Sequence, residues 1–233
     1  DNRRSRGLGD VYKRQGVNSI NWARVLAQAV YYFSSAVALG APARQVSFTV
    51  PTGNFGDIFA GFIAKRMGLP IDKLIVATNQ NDILHRCLTQ GEYKTSGVLP
   101  SISPSMDIQV SSNFERLLFE AYGRDGAAVS GLMAALKAEG GFSLSQGVLE
   151  MLQRDFQSGR CSEEQTRVQI EQTLKGSGEL LCPHSAIGVH VGEQQIQPET
   201  PMITLATAHP AKFPDSVQSA TGLRPDLPPH MAD

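Results

Sequence analysis

The chain has little of what marks several specialised classes of protein. Its three cysteines, Cys87, Cys161 and Cys182, are an odd number with no CxxC pair. They argue against a disulfide framework and a structural zinc site, and they favour a reducing compartment. No apolar run reaches membrane-spanning length. Neither sign of charge is in excess, since 21 Lys and Arg balance 22 Asp and Glu. We therefore expect a cytoplasmic protein with no nucleic-acid or membrane partner.

What is present suits an ordinary globular core. The 233 residues are 41% hydrophobic and 18% charged, enough for one large or two small domains. Residues 1–15 differ from the rest, with five basic residues among Gly, Ser and Asp and no apolar segment of a signal peptide. We expect this stretch to be a non-native tail, in which case the native protein begins upstream. A basic arm for nucleic acid or localisation is the alternative.

The patterning after the tail predicts an α/β fold with a parallel sheet. A helix is expected over 21–39, with one apolar face made of Trp22, Val25, Leu26, Ala29, Val30, Phe33 and Val37. A strand at 45–50, a helix from Asp57 to Met67 and a strand at 73–78 follow. This strand, helix, strand order implies a right-handed crossover between parallel strands.

The rest of the chain is less regular. A long loop is expected through residue 105, then helices at 113–121, 127–137, 145–156 and 162–175, and strands at 186–191 and 201–206. We read the segment 93–180 as a loop and helical insertion. Residues 16–92 and 181–233 would form the two parts of one ligand-binding domain.

The loop between the first predicted strand and its helix carries the strongest chemical signal. Gly53 and Gly56 remove side chains where the backbone approaches a ligand, and the following helix offers unpaired N–H groups and a partial positive charge. These features suit a phosphate, although the loop is neither a Walker A nor a GxGxxG motif. A simple tight turn is the alternative. Residues 79–82 end the next predicted strand, so they could face the same cleft.

A metal site is not expected. His184 and His190 are six residues apart, with Cys182 nearby, and would fall on one face of a strand only by parity; no fourth ligand has suitable spacing.

Six motifs occur in the order seen in threonine synthases. They are NSINWAR at 18–24, PTGNFGD at 51–57, ATNQND at 77–82, SMDI at 105–108, SSNFER at 111–116 and ATAHPAKF at 206–213. The resemblance covers essentially everything after residue 15. The chain most resembles the branch of that family with an extra helical segment, found in many bacteria and in fungi.

The resemblance implies a fold-type II pyridoxal 5′-phosphate enzyme, a carbon–oxygen lyase that converts O-phosphohomoserine and water into threonine and phosphate. The cofactor's phosphate would lie on Gly53, Asn54, Phe55 and Gly56, and Thr207 would face its ring nitrogen. Asn18, Ser19, Asn21 and Arg24 resemble the set that holds the substrate's phosphate. The alternatives are a turn-capping Thr207, helix-capping Asn and Ser side chains, and a solvated Arg24.

One residue that the resemblance requires is missing. In the family, the lysine that forms the Schiff base lies in a Phe-Lys-Asp segment upstream of the NSINWAR motif, and no lysine here has those neighbours. We therefore expect a carboxyl-terminal portion of a threonine synthase that is inactive alone. The alternatives are an inactive module that binds a phosphorylated ligand or the cofactor, and an interaction domain whose surface is the helical insertion. The oligomeric state stays open.

Overall fold

A computed structural model describes residues 20–231 of the chain and contains a four-stranded sheet. Its strands lie in the order β5, β2, β1, β6, and each neighbouring pair is parallel. The strands are β1 (Val46–Pro51), β2 (Ile71–Thr78), β5 (Phe156–Arg160) and β6 (Met202–Thr204). A separate antiparallel pair joins β3 (Glu92–Lys94) to β4 (Gly141–Ser143). The predicted parallel α/β fold is confirmed.

Helices surround this sheet. Those before the middle segment are α1 (Trp22–Ala38), α2 (Gly56–Arg66) and α3 (Ile83–Gln90). The middle segment holds α4 (Phe114–Ala121), α5 (Gly126–Glu139), α6 (Gln146–Asp155) and α7 (Glu163–Ser177), and the chain continues through α8 (Pro183–Glu193) and α9 (Pro214–Thr221). Short 3-10 turns lie at Pro104–Met106, Pro210–Lys212 and Pro229–Met231. Within the described residues no helix is both long and apolar enough to cross a bilayer.

The sheet has two buried faces. Successive side chains of a strand point to opposite faces, and in β2 Leu74 and Val76 join one core while Ile75 and Ala77 join another. The larger core includes apolar side chains of α1 to α4, and the smaller one includes Ile187 of α8. Burial on both faces explains why the central strands read as nearly continuous apolar runs.

The strand predicted at 186–191 is wrong, because this segment lies inside helix α8. The Cys182 side chain caps the helix by accepting from the Ser185 amide, and Pro183 occupies its first turn. Gly188 and Gly192 let the helix approach the sheet closely: a Cβ at Gly188 would lie 2.9 Å from a Thr204 methyl. A helix buried on most sides has no clear apolar stripe, so its pattern resembled a buried strand.

Strand β5 was not predicted from the sequence. Phe156 was assigned to the end of a helix, but it begins the strand and pairs with Leu74 of β2. The strand sequence, Phe-Gln-Ser-Gly-Arg, has little β propensity. Pairing with β2 therefore determines its conformation, and the segment 93–180 supplies a strand of the main sheet as well as helices.

Helix α1 buries only part of the face that was predicted, together with two residues outside it. Val25 and Ala29 are buried as expected, and so are Tyr32 and Ala36. However, four of the predicted core residues are exposed, namely Trp22 (45%), Leu26 (48%), Val30 (66%) and Val37 (59%). The apolar side chains of this helix extend over a wider face than the one that the described residues bury.

Candidate functional site

The loop from β1 to α2 has a strained, well-packed backbone. Phe55 precedes α2 with φ at 63°, a left-handed conformation that is costly for an aromatic residue. Its ring is buried against Phe114 and Phe156, with centroids 5.2 and 5.9 Å away. Aromatic packing therefore offsets the backbone strain, and the loop is fixed in one shape.

Two side chains from the 111–113 segment hold the carbonyl groups of this loop. The Asn113 amide donates to the Asn54 carbonyl oxygen at 2.9 Å, and the Ser111 hydroxyl donates to the Gly53 carbonyl oxygen at 2.8 Å. Because the carbonyls are engaged in this way, the loop can present N–H groups to a ligand. Gly53 is also pressed against the Pro104–Met106 turn, since a Cβ there would lie 2.4 Å from the Ser105 carbonyl oxygen.

The amide groups of the loop are suited to an anion. Within the described part of the chain, no hydrogen-bond acceptor engages the main-chain N–H of Asn54, Phe55 or Gly56. The first N–H groups of α2 also lack intrahelical partners, and the helix dipole places a partial positive charge beside them. A phosphate group fits this set of donors.

A cavity of about 270 Å³ brings the predicted cofactor residues together. It is lined by the whole 51–57 loop and also by Arg24, Gln28, Ser105, Met106, His184, Thr207, Ala208, Lys212 and Phe213. Arg24 comes from α1, Thr207 follows β6, and the loop follows β1. The cavity lies at the carboxyl ends of adjacent parallel strands, where ligands of open α/β sheets gather.

A small polar network holds Thr207. The Thr207 amide donates to the Ser185 hydroxyl oxygen at 3.1 Å, and the two hydroxyl oxygens lie 3.4 Å apart. The Cys182 sulfur lies 3.6 Å from the Thr207 hydroxyl oxygen and 3.3 Å from that of Ser185. The amino terminus of α8 therefore positions this side chain.

A histidine of α8 lines the same cavity. His184 accepts at Nε2 from the Ser105 amide, 3.3 Å away, and so joins α8 to the turn packed on Gly53. Its Nδ1 is buried and makes no hydrogen bond of good geometry within residues 20–231, although the ring is close enough to Cys182 to lower the pKa of that thiol. A polar ligand in the cavity could engage this atom.

Asp57, in the first turn of α2, ties this helix to α1. The hydroxyl groups of Tyr31 and Tyr32 donate to its carboxylate, and Tyr32 also donates to its carbonyl oxygen at 2.9 Å. Burial raises the pKa of Asp57 above its ordinary value, while the two tyrosine hydrogen bonds oppose that rise. This contact fixes the 51–57 loop relative to the helix that carries Arg24.

Comparison with known proteins gives these features a context. Residues 185–233 match the family model described as "Threonine synthase, C-terminal". Over 219 residues the chain is 54% identical to a curated threonine synthase of Pseudomonas aeruginosa, covering 93% of this chain and 47% of that protein. A structure of PLP-bound threonine synthase from Brucella melitensis is 60% identical with a TM-score of 0.92, over 94% of this chain and 47% of that one. The chain belongs to the threonine synthase family.

More distant threonine synthases share the same fold. The crystal structure from Escherichia coli is 32% identical with a TM-score of 0.74, and it covers 92% of this chain and 44% of its own. The fold-type II class expected from the resemblance is therefore confirmed. The chain spans about half the length of the relatives it matches.

The residues predicted to bind the substrate's phosphate in this threonine synthase family member do not all lie at the cavity. Arg24 lines the cavity. The Asn21 side chain caps α1 by accepting from the Ala23 amide at 2.9 Å and does not line the cavity, as the helix-cap alternative anticipated. Asn18 and Ser19 lie outside the described residues. Their role in binding substrate stays a prediction.

Residues 79–82 were predicted to face the ligand cleft, but the side chains of Asn79 and Asn81 instead bind another loop of the chain. Asn79 donates to the Asp107 carboxylate at 2.8 Å, and Asn81 donates to the Leu99 carbonyl oxygen at 2.8 Å. These side chains hold the 99–107 segment, which in turn carries Ser105 into the cavity. Their contribution to the site is therefore indirect.

Sequence reasoning did not assign Gln28, Ser105, His184 or Lys212 to the site. Gln28 lies one helical turn after Arg24 on α1, so the spacing of four residues could have suggested it. Lys212 lies in the ATAHPAKF motif, in which only Thr207 was assigned a role. Among the described residues no group of three or more His, Cys, Asp or Glu side chains is arranged to hold a metal ion.

Proposed function

We propose that this chain supplies the phosphate-binding side of a threonine synthase active site, with pyridoxal 5′-phosphate as cofactor and O-phosphohomoserine as substrate. The observation that carries the proposal is the single cavity lined by the 53–56 loop, Thr207 and Arg24. Three separate segments of the sequence converge there. The PLP-bound relative from Brucella melitensis, 60% identical, supports the choice of cofactor.

The residues present fit such a cofactor. The free amides at Asn54, Phe55 and Gly56 would bind its 5′-phosphate, and the Thr207 hydroxyl would face its ring nitrogen. When bound, the cofactor supplies an electron sink for carbon–oxygen bond elimination and replacement. A neutral hydroxyl at the ring nitrogen suits this chemistry better than transamination.

Two cations at the cavity support a second phosphate site. Arg24 and Lys212 both line the cavity, and Gln28 adds a neutral donor beside Arg24. An arginine fork matches the tetrahedral oxygens of a phosphate monoester. We assign the substrate's phosphate to this side of the cavity, together with the predicted contribution of Asn18 and Ser19.

The 233 residues are proposed not to complete the reaction alone. The family's lysine, flanked by Phe and Asp, has no match in the sequence. Lys212 lines the cavity, but its neighbours are Ala211 and Phe213. Turnover would require a polypeptide that provides the lysine, giving a carbon–oxygen lyase at the last step of threonine biosynthesis. Three free, buried cysteines support a cytoplasmic location.

Binding of a cofactor analogue tests the proposal without needing the lysine. The analogue 4′-deoxypyridoxine 5′-phosphate has no aldehyde and cannot form an imine with Lys212 or a surface lysine. We expect it to bind the chain, and 4′-deoxypyridoxine, which lacks the phosphate, to bind at least tenfold more weakly. Equal affinities for the two compounds, measured by fluorescence titration, would refute a phosphate-binding role for the loop.

Competition experiments test the second phosphate site. With the analogue bound, O-phosphohomoserine should bind the wild-type chain, and Arg24→Ala should weaken this binding about tenfold or more through loss of a charge-assisted contact. Arg44→Ala removes an exposed arginine that does not line the cavity and is the matched control. Equal losses in the two variants would mean that Arg24 acts only through net charge.

A further inference from the structure

The two ends of the 111–116 motif contact different parts of the candidate site. At its start, the side chains of Ser111 and Asn113 donate to carbonyl oxygens of the 51–57 loop. At its end, Arg116 lies in the first turn of α4 and reaches helix α1 instead. One short segment therefore touches both the proposed cofactor side and the proposed substrate side of the cavity.

Arg116 makes two contacts with the start of α1. Its Nη2 donates to the Ile20 carbonyl oxygen at 2.6 Å, and the central carbon of its guanidinium lies 5.2 Å from the centre of the Trp22 ring. A cation over the face of an indole is attracted to it. The Nη1 atom of Arg116 is buried and has no hydrogen-bond partner within residues 20–231. The hydrogen bond and the ring contact of this guanidinium thus both go to α1.

The start of α1 also carries Arg24, which we assign to the substrate's phosphate. Arg24 lies in the first turn and lines the cavity, and its amide donates to the Asn21 carbonyl oxygen at 3.0 Å. The Asn21 side chain caps the same turn. Because these residues lie within one turn of helix, a displacement of Ile20 or Trp22 would displace Arg24 as well.

This end of α1 is unusually positive. The amino terminus of a helix has a partial positive charge, the first turn of α1 contains no acid, and Arg24 and Arg116 add two cations. Cations are unfavourable at this end of a helix. A phosphate dianion bound beside Arg24 would offset this unfavourable charge. The arrangement therefore suits an anion better than it suits the stability of the helix alone.

We propose that Arg116 is a positioning residue for the substrate's phosphate, which holds the first turn of α1 so that Arg24 faces the cavity. Arg116 itself does not line the cavity. The 111–116 motif thereby fixes the two phosphate sites relative to each other, the cofactor's through Ser111 and Asn113 and the substrate's through Arg116. This inference rests on the proposed function and specifies how its second phosphate site is held.

The first test compares the two ligands on one variant. Arg116→Met keeps the length of the side chain and removes its donors and its charge. With 4′-deoxypyridoxine 5′-phosphate bound, titration calorimetry should show O-phosphohomoserine binding about tenfold more weakly to Arg116→Met, as expected for loss of one hydrogen bond from a charged group. Affinity for the analogue itself should change by less than about twofold, because Ser111 and Asn113 are intact. A general loosening of α4 would instead weaken both ligands and overturn the proposal.

Arg124→Met is the matched control. Arg124 lines the same surface groove as Arg116 and is 66% exposed, but its guanidinium pairs with Glu120 of α4 and not with α1. This variant should leave both affinities within about twofold of wild type. Arg116→Lys keeps the charge and a donor for the Ile20 carbonyl oxygen, and it should recover most of the lost affinity. Equal losses in Arg116→Met and Arg124→Met would attribute the effect to net charge and overturn the proposal.

A second test reads the contact between Arg116 and α1 without any ligand. The chain has one tryptophan, so its fluorescence reports on Trp22 alone. Since the guanidinium covers one face of the ring, acrylamide should quench the emission more strongly in Arg116→Ala than in wild type or Arg124→Ala. Circular dichroism checks that the variants are folded. Equal quenching in all three folded chains would overturn the proposal.

The outcomes distinguish this proposal from the proposed function. Unchanged affinity of folded Arg116→Met for O-phosphohomoserine overturns the role of Arg116 and leaves both phosphate sites intact. No binding of O-phosphohomoserine to the wild-type chain with the analogue bound refutes the second phosphate site, and the role of Arg116 with it.

Discussion

Substitution of Gly53 by alanine tests most directly the shape of the 51–57 loop, to which we assign the cofactor's phosphate. A Cβ at this position would lie 2.4 Å from the backbone carbonyl oxygen of Ser105. Real Cβ atoms essentially never approach another heavy atom within 3.0 Å, so the loop and the Pro104–Met106 turn would have to separate by at least about 0.6 Å. Both partners are backbone, and no side chain can rotate away to relieve the clash.

The two segments are tied to neighbours that resist this movement. Ser111 donates to the Gly53 carbonyl oxygen, and the Ser105 amide donates to His184. Overpacking of this kind costs about 1–3 kcal/mol of folding free energy. The loop amides would also shift relative to a bound phosphate, and loss of one charge-assisted hydrogen bond weakens binding by about 1.5–3 kcal/mol, which is tenfold or more.

The matched control is Gly131→Ala in helix α5. No atom lies within 4 Å of a Cβ at Gly131, and alanine in a helix is more favourable than glycine by about 0.5–1 kcal/mol. Urea unfolding should therefore show Gly53→Ala destabilised and Gly131→Ala slightly stabilised. Fluorescence titration with 4′-deoxypyridoxine 5′-phosphate should show weaker binding only in Gly53→Ala. Wild-type affinity in a folded Gly53→Ala chain would refute the assignment of the phosphate to this loop.

Three further predictions concern stability. Burial raises the folded-state pKa of Asp57 above its ordinary 3.8, so the protonated carboxyl stabilises the folded chain most below pH 3.8, and this stabilisation is lost as the pH rises through the raised pKa. Urea unfolding across a pH series should show this loss of stability in the wild-type chain and not in Asp57→Asn. Tyr32→Phe deletes a hydroxyl whose one proton is shared between the carbonyl and carboxylate oxygens of Asp57, and calorimetry should show a loss of about 1–3 kcal/mol, against no change if the contact is dispensable. Val30→Lys, at a 66% exposed position, should change stability by less than about 0.5 kcal/mol, whereas Val25→Ala should cost about 1–3 kcal/mol. Comparable losses in the two variants would support the wider buried face predicted from the sequence, which includes both valines.

Local chemistry accounts for the parts of the fold that were predicted correctly. Apolar runs ended by polar or glycine-rich turns predicted β1 and β2 within one or two residues of their observed starts. The acids in the first turn of α7 predicted its start, and the structure shows a full capping box between Ser162 and Gln165. Such signals lie within a few residues of the element that they define, so one sequence is enough to interpret them.

The errors arose where distant segments decide the conformation. Helix α8 is covered on several sides, which hides its helical period, and β5 is a strand because β2 supplies its hydrogen bonds. The predicted face of α1 was too wide for the same reason, since Tyr32 is drawn inwards by Asp57, 25 residues away. The pattern of apolar residues in a sequence does not show which face of a helix or strand another segment will cover.

By itself, the sequence predicted the bend between β1 and α2, because two glycines lie between a buried strand and a helix; binding of a phosphate at this bend is our proposal. It also determined the family, through six motifs in a constrained order. Only the tertiary structure decided that Arg24, Gly53 and Thr207 share one cavity and that Cys182 contacts Thr207. These contacts join residues far apart in the chain, and they exist only once parallel strands bring their carboxyl ends together.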